Sequence, residues 1–171
     1  MVQLVAVGDT HHETSTALSG RTAEAVADAD IVVHTGDFTT ERVLNAFQDI
    51  CRRFEAVHGN NDTAGVRERL PATRTIAIPD TDRRVVVVHG HEHSPTALSL
   101  LAHQEAADLV VVGHSHRPGV EHLETALVLN PGSYARPRQF RAAYAELEIT
   151  AASISGQLLT PDGEVLETIA Y

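Results

Sequence analysis

The first two thirds of the chain alternate short apolar runs with segments of helical pattern. Runs of strand length, rich in Val, Ile, Leu and Ala, read VQLVAV, IVVH, FEAVH, RVVVVH and LVVVG. Such runs predict strands that are buried on both faces. The segments between them predict helices, and they read SGRTAEAVADA, TTERVLNAFQDI, TAGVRERL and SPTALSLLAHQEAA. We expect Asp62 to cap the third helix and Ser94, which precedes Pro95, to cap the fourth.

The last third of the chain has strand patterns only. Successive strands are predicted for GVEHLE, ALVLN, AAYAELEI, SISGQLL and EVLETIAY. TPDGE predicts a hairpin turn before the last strand, and Pro79–Asp82 predicts another inside TRTIAIPDTDRRVVVVH. The strand–helix alternation predicts a mostly parallel sheet. We therefore expect an α/β fold with two mixed sheets flanked by helices, in one domain over residues 1–171, because no repeat or linker divides the chain.

Composition narrows the class of protein. The 43% of apolar residues permits a sizeable core, and no apolar stretch is long enough to span a membrane. A net charge of −10 argues against non-specific binding of nucleic acid. The single cysteine, Cys51, and the lack of a leader pattern before the first strand predict a cytoplasmic protein. The sequence leaves open whether copies of the chain form a homo-oligomer.

Polar side chains follow the predicted strands in a recurring pattern. The five strands lead into GDTH, GD, GNND, HGH and GHSH. Because ligands bind beyond the carboxyl ends of strands in open α/β sheets, these side chains are candidates for one site. The candidate ligands are Asp9, His11, Asp37, Asn60, His89, His114 and His116.

The residue types indicate a transition-metal site. Carboxylate and imidazole ligands without a thiolate suit Mn²⁺, Fe, Zn²⁺ or Ni²⁺, and four histidines argue against Ca²⁺ or a simple Mg²⁺ site. Seven ligands exceed the needs of one tetrahedral ion but suffice for two ions. Taken alone, DTH, GD and GN are typical of ordinary turns or helix caps, whereas GHSH is moderately specific because its two histidines can share one cluster. The ordered set of five favours a metal site.

The ordered motifs D-x-H, G-D, G-N-x-D, H-G-H and G-H-x-H resemble those of the calcineurin-like metallophosphoesterases. The chain length and LNPGS, residues 129–133, narrow the resemblance to the small bacterial and archaeal phosphodiesterases. The resemblance covers roughly residues 4 to 134 and implies a four-layer α/β/β/α sandwich with a dinuclear metal site, Mn²⁺ being our first expectation. It assigns Asp9, His11 and His116 to one ion, Asn60, His89 and His114 to the other, and Asp37 to both.

The third motif departs from part of the superfamily. Asn61 follows the ligand Asn60, where the phosphoprotein phosphatases have a histidine that is thought to protonate the leaving group. An amide cannot release a proton at neutral pH. We therefore regard Asn61 as a catalytic-site residue that donates a hydrogen bond, and His91 as a candidate acid or substrate contact.

Other polar residues have simpler interpretations. His34 precedes a motif glycine, and we favour a hydrogen-bonded strand-end residue over a partner of the metal ligands. His103 and His122 are expected on the surface. For Arg136, Arg138 and Arg141 a phosphate clamp is one interpretation, but we favour the start of a solvated strand.

These observations predict a metal-dependent phosphoric ester hydrolase. The resemblance implies hydrolysis of phosphodiester bonds by in-line attack of a metal-bridging hydroxide on a small-molecule substrate. A phosphomonoesterase and a non-catalytic metal-binding scaffold are the alternatives, since one eukaryotic relative serves as a subunit of a trafficking complex. The complete ligand set argues against the scaffold.

Overall fold

The computed structural model describes all 171 residues, as eleven strands and four helices. The helices are α1 (Gly20–Asp28), α2 (Glu41–Ile50), α3 (Ala64–Arg69) and α4 (Pro95–Glu105). The strands are β1 (Val2–Val7), β2 (Ile31–His34), β3 (Phe54–Ala56), β4 (Thr73–Ala77), β5 (Arg84–Val88), β6 (Leu109–Val112), β7 (Gly119–His122), β8 (Leu127–Asn130), β9 (Tyr144–Ile149), β10 (Ile154–Leu159) and β11 (Val165–Ala170).

The strands form two mixed sheets. The first has the order β11-β10-β9-β1-β2-β3, in which β1, β2 and β3 are parallel and the strands on the other side are antiparallel. The second has the order β4-β5-β6-β8-β7, with β5, β6 and β8 parallel. Both predicted hairpins, β4–β5 and β10–β11, are confirmed.

The apolar side chains pack into three layers of core. The largest cluster joins the two sheets and contains Leu4 and Ile31 from one sheet, and Val87 and Leu109 from the other. A second cluster lies beneath the helices of the first sheet, and Phe47 of α2 is fully buried in it. A third lies between α4 and the second sheet. The order of layers is therefore α/β/β/α, as predicted.

The predicted caps have different outcomes. Ser94 caps α4 by accepting a hydrogen bond from the Ala97 N–H, with Pro95 in the first turn, as predicted. The prediction for Asp62 is wrong, because Thr63 is the residue that caps α3. A carboxylate can accept any nearby N–H, and that of Asp62 accepts those of Gly59, Asp37 and Thr39. Asp62 thereby connects the loops that follow β2 and β3.

The topology brings the polar motifs together. Strands β1, β2 and β3 run parallel in one sheet, and β5 and β6 run parallel in the other, so the five motif loops lie at one end of the sandwich. None of the four helices is long and apolar enough to cross a bilayer.

Candidate metal centre

The first group of candidate ligands comes from the loops after β1 and β6. His116 Nε2 lies 3.4 Å from Asp9 Oδ1, and His11 Nε2 lies 3.8 Å from the same oxygen. The two imidazole Nε2 atoms are 3.3 Å apart. Asp9 and His116 are buried, and His11 is half-buried. Three ligand atoms therefore converge on one point from two sheets.

The second group comes from the loops after β3, β5 and β6. The Asn60 Oδ1 atom lies 3.0 Å from His89 Nε2 and 3.1 Å from His114 Nδ1. His89 is buried, whereas His114 is half-buried. This set again mixes oxygen and nitrogen atoms at the spacing of ligands around one ion.

Asp37 lies between the two groups. Its Oδ2 atom is 3.4 Å from His11 Nε2 on one side and 3.4 Å from His89 Nε2 on the other. Asp9 also reaches both groups, since ligand atoms of Asp9, Asp37 and His89 all lie within 4.8 Å of one another. The symmetric position of Asp37 fits the carboxylate that was predicted to contact both ions.

Most of the candidate ligands have an unusual backbone conformation. Five of the seven have a positive φ between 42° and 65°, a region that residues other than glycine seldom adopt. They are Asp9, His11, Asp37, His114 and His116. Strained residues of this kind cluster at functional sites, where the surrounding structure holds them. Their concentration here supports a function for these positions.

Two backbone carbonyls define the tautomers of His89 and His116. The Thr35 carbonyl accepts from His89 Nδ1 at 2.8 Å, and the Arg136 carbonyl accepts from His116 Nδ1. Because a carbonyl only accepts, each Nδ1 carries a proton and each ring turns its Nε2 toward a carboxylate oxygen. At that position either a proton or a metal ion on Nε2 can offset the negative charge of the carboxylate. The donor set therefore fits metal binding.

The Asp9 carboxylate gives an independent sign of the same kind. Its Oδ2 atom accepts the His114 N–H at 2.9 Å, whereas Oδ1 is buried without any hydrogen-bond partner. A buried carboxylate oxygen without a partner is costly. Because Oδ1 faces His11 and His116, a divalent ion would satisfy it.

The pKa values reflect the crowding of charge. Burial alone would raise the pKa of Asp37, but hydrogen bonds from His89 and Asn61 hold it well below its usual range. Burial lowers the pKa of His11 and, together with the charge of His89, that of His114. Burial by itself would lower the pKa of His89 and of His116. Both pKa values are nevertheless raised, that of His89 by Asp37 and that of His116 by Asp9. The Asp37 carboxyl group therefore gives up its proton more readily than an ordinary Asp side chain does.

Asn61 and His91 lie beside the candidate ligands. The Asn61 Nδ2 amide donates to Asp37 Oδ2 at 2.7 Å, so it contacts the central carboxylate. The His91 ring centroid is 5.3 Å from that of His89 and 6.0 Å from that of His114. The side chain of His91 is 29% exposed and can reach solvent at the site.

Two buried residues outside the ligand groups, His34 and Ser133, support the loops of the site. The fully buried His34 accepts the Gly36 N–H at Nδ1, so its Nε2–H donates to Thr10 Oγ1 at 3.2 Å. His34 is thus hydrogen-bonded at its strand end, as favoured, and it also connects the first two motif loops. The buried Ser133 hydroxyl donates to the Asp9 carbonyl at 2.7 Å. The LNPGS stretch, which contains Ser133, was noted in the sequence for its resemblance to the family. The sequence did not predict that Ser133 contacts Asp9.

The arginine-rich segment differs from the favoured interpretation. Strand β9 begins only at Tyr144, so Arg136, Arg138 and Arg141 lie in a loop and the prediction of a strand start is wrong. Pro137 has no backbone N–H to donate to a neighbouring strand, and the carbonyl of Arg136 instead accepts a hydrogen bond from the candidate ligand His116. His103 and His122 are exposed and lie outside both ligand groups.

Comparison with known proteins identifies the family. The profile of the calcineurin-like phosphoesterase superfamily domain matches residues 2–152. A probable metallophosphoesterase of Bacillus subtilis is 34% identical over 136 residues, which cover 75% of each chain. A phosphodiesterase of Methanocaldococcus jannaschii is 27% identical over 114 residues, covering 61% of this chain and 68% of the relative.

Solved structures show the same fold. A predicted phosphoesterase from Streptococcus pneumoniae superposes with a TM-score of 0.79 at 25% identity, covering 99% of this chain and 97% of the other. Vps29 from Entamoeba histolytica, solved with zinc, gives a TM-score of 0.79 at 21% identity, covering 99% and 98%. Together with the matched profile and the converging ligands, these similarities show that the chain belongs to the calcineurin-like phosphoesterase superfamily.

Proposed function

We propose that this protein is a phosphodiesterase that depends on two divalent transition-metal ions. The observation that carries the proposal is the position of Asp37 Oδ2, 3.4 Å from a histidine of each ligand group. In this proposal Asp9, His11 and His116 hold one ion, and Asn60, His89 and His114 hold the other. Mn²⁺ is our first expectation, and Ni²⁺, Zn²⁺ and Fe are the alternatives that this ligand set also suits.

Neighbouring residues hold the candidate ligands in position. When bound, two such ions polarise phosphoryl oxygens and supply a nucleophile from water at neutral pH. The carbonyl of Thr35 orients the His89 ring, and the carbonyl of Arg136 orients the His116 ring. Asn61 keeps the Asp37 carboxylate in place. Gly59 permits the close approach, because a Cβ there would lie 2.1 Å from Asp37 Oδ1.

Asn61 supports a preference for diesters over monoesters. Its amide donates to Asp37 and has no proton to give a leaving group. A site without an acid favours substrates whose leaving group carries negative charge well and whose phosphorus is less charged. The phosphodiesterase from M. jannaschii among the relatives supports the same choice.

An activity screen tests the proposal. We expect the purified protein, loaded separately with Mn²⁺, Ni²⁺, Zn²⁺ or Mg²⁺, to hydrolyse bis(p-nitrophenyl) phosphate faster than p-nitrophenyl phosphate. Asp37→Asn should abolish both activities, whereas the exposed His103→Ala serves as a matched control. Faster cleavage of the monoester would support the phosphomonoesterase instead.

A scaffold function is the alternative of another class. The shared fold with Vps29, a vacuolar protein sorting-associated protein, favours it. The absence of hydrolysis with every metal, combined with normal metal binding, would favour this alternative. As part of the proposal, we place the protein in the cytoplasm, where Cys51 would remain reduced.

A further inference from the structure

We infer that Arg136 and Arg138 form an anion-binding wall beside the metal ligands, which selects phosphodiesters that carry a second phosphoryl group. This inference rests on the proposed function, because it names the class of substrate for the same site. It concerns the loop between β8 and β9, which does not supply any of the seven candidate ligands.

The backbone of this loop is attached to the first ligand group. The carbonyl of Arg136 accepts the proton of His116 Nδ1, and the N–H of Arg136 donates to Ser133 Oγ at 3.0 Å. Ser133 in turn donates to the carbonyl of Asp9. The loop therefore follows the wall of the metal site itself.

The two guanidinium groups are free to bind an anion. Nine of the 13 arginines contact an acidic side chain, a carbonyl or an amide oxygen, among them Arg141, whose guanidinium binds both oxygens of Glu164. The four without such a partner are Arg42, Arg117, Arg136 and Arg138. Three of these four are near His116: Arg117 follows it in the chain, and Arg136 and Arg138 belong to the loop that orients it. Both Arg136 and Arg138 are exposed.

Neither arginine pairs with the Asp9 or Asp37 carboxylate, although the loop that carries them is hydrogen-bonded to both His116 and Asp9.

The overall charge explains why such a wall is useful. A chain with a net charge of −10 repels anionic substrates at long range, and unpaired arginines beside the site place positive charge where an anion would approach. The planar guanidinium binds phosphate oxygens with two parallel hydrogen bonds. Because the metal ions neutralise the phosphate that reacts, the arginines are available to a second phosphoryl group on the same molecule.

A matched pair of substrates tests the inference. One is the p-nitrophenyl ester of thymidine 5′-phosphate, and the other is the same ester with an additional 3′-phosphate. We expect wild-type protein loaded with Mn²⁺ to show a KM about 10-fold lower for the second ester. In Arg136→Ala/Arg138→Ala the two KM values should converge.

Conservative and neighbouring variants separate charge recognition from loop structure. Arg136→Lys/Arg138→Lys should restore part of the preference, since lysine keeps the charge but loses the fork. Arg141→Ala, in the same loop but paired with Glu164, should keep the wild-type ratio. Equal KM values for the two esters in wild-type protein would overturn the inference. So would a similar loss of kcat/KM for both esters in the double Ala variant, because the arginines would then bind the reacting phosphate.

Calorimetry provides a readout that is independent of turnover. We expect thymidine 3′,5′-bisphosphate to bind the Mn²⁺-loaded wild-type protein about 10-fold more tightly than thymidine 5′-phosphate, and the double Ala variant to bind both equally. If neither ester is hydrolysed with any metal, the proposed function fails and this binding ratio decides the inference. If the double Ala variant kept the wild-type ratio of the two affinities, the inference about Arg136 and Arg138 would be contradicted.

Discussion

Asn61 binds both oxygens of the Asp37 carboxylate. Its backbone N–H donates to Oδ1 at 2.8 Å, and its side-chain amide donates to Oδ2 at 2.7 Å. The residue that follows the candidate ligand Asn60 is thus hydrogen-bonded to the carboxylate that lies between the two groups of candidate ligands. Its neutral amide stabilises the charge of Asp37 and has no proton to transfer.

The rate should consequently depend steeply on the leaving group. General acid catalysis is typically worth about 10²–10⁴ in rate, and no acid in the third motif supplies it. We expect aryl esters to react much faster than alkyl esters, with log kcat falling steeply as leaving-group pKa rises. Asn61→His should flatten this slope and raise monoesterase activity.

His91 offers the competing explanation for proton transfer. It lies near His89 and His114 and is partly exposed, so its ring could reach a leaving group. A shallow slope in the wild type that His91→Ala makes steep would identify His91 as the acid. An unchanged slope in His91→Ala would support the explanation based on Asn61.

Ligand and surface histidines should respond differently to substitution. His114→Ala and His116→Ala each remove a nitrogen from a different ligand group, so we expect activity to fall by orders of magnitude without loss of folding. His103→Ala and His122→Ala alter exposed side chains and should resemble the wild type. The measurement is kcat/KM, with folding followed by circular dichroism. Similar losses of kcat/KM in the His114 and His116 variants and in the His103 and His122 variants would refute the division into ligand and surface histidines.

The buried His34 should stabilise the two motif loops that it joins. His34→Leu leaves the buried Gly36 N–H and Thr10 hydroxyl without their partner, which typically costs about 1–3 kcal/mol for each unsatisfied group. We expect urea denaturation of the metal-free protein to show a destabilisation of about 2–6 kcal/mol for the two groups together. Thr10→Val removes one of the two bonds and should cost less. A greater loss in Thr10→Val than in His34→Leu would contradict this role.

Stability should also decrease at alkaline pH for reasons unrelated to the metal site. Burial raises the pKa of Cys51 to about 12, and burial together with Glu146 raises that of Tyr144 to about 12. The folded state therefore retains protons that the unfolded chain releases from about pH 9 for Cys and about pH 10 for Tyr. The two raised pKa values therefore contribute to the free energy of unfolding in full below those pH values, and this contribution is lost as pH rises toward 12.

Denaturation curves between pH 8 and pH 11 would measure this loss. We expect the free energy of unfolding to fall with pH in the wild type and less steeply in Cys51→Ala/Tyr144→Phe. The Cys51 thiol should react slowly with thiol reagents at pH 8 until the protein is unfolded. Rapid reaction of Cys51 in the folded protein would show that its pKa is not raised.

Sequence reasoning predicted the elements better than their partners. The strands β1, β2, β5 and β6 are nearly continuous apolar runs, which identify buried strands locally. The pairing of β1 with β9, about 140 residues later, depends on how the whole chain packs, and no local pattern specifies it. Residues with several possible partners were the least predictable, as Asp62 and Arg136 illustrate.

The number of ions per chain tests the central claim most directly. Two ligand groups with Asp37 between them predict that protein stripped of metal and reconstituted with Mn²⁺ binds two ions per chain, measured by elemental analysis after removal of free metal. Asp37→Asn should lower this number, because it removes the negative charge between both ions. A maximum of one ion per chain, with no change in Asp37→Asn, would contradict the dinuclear site.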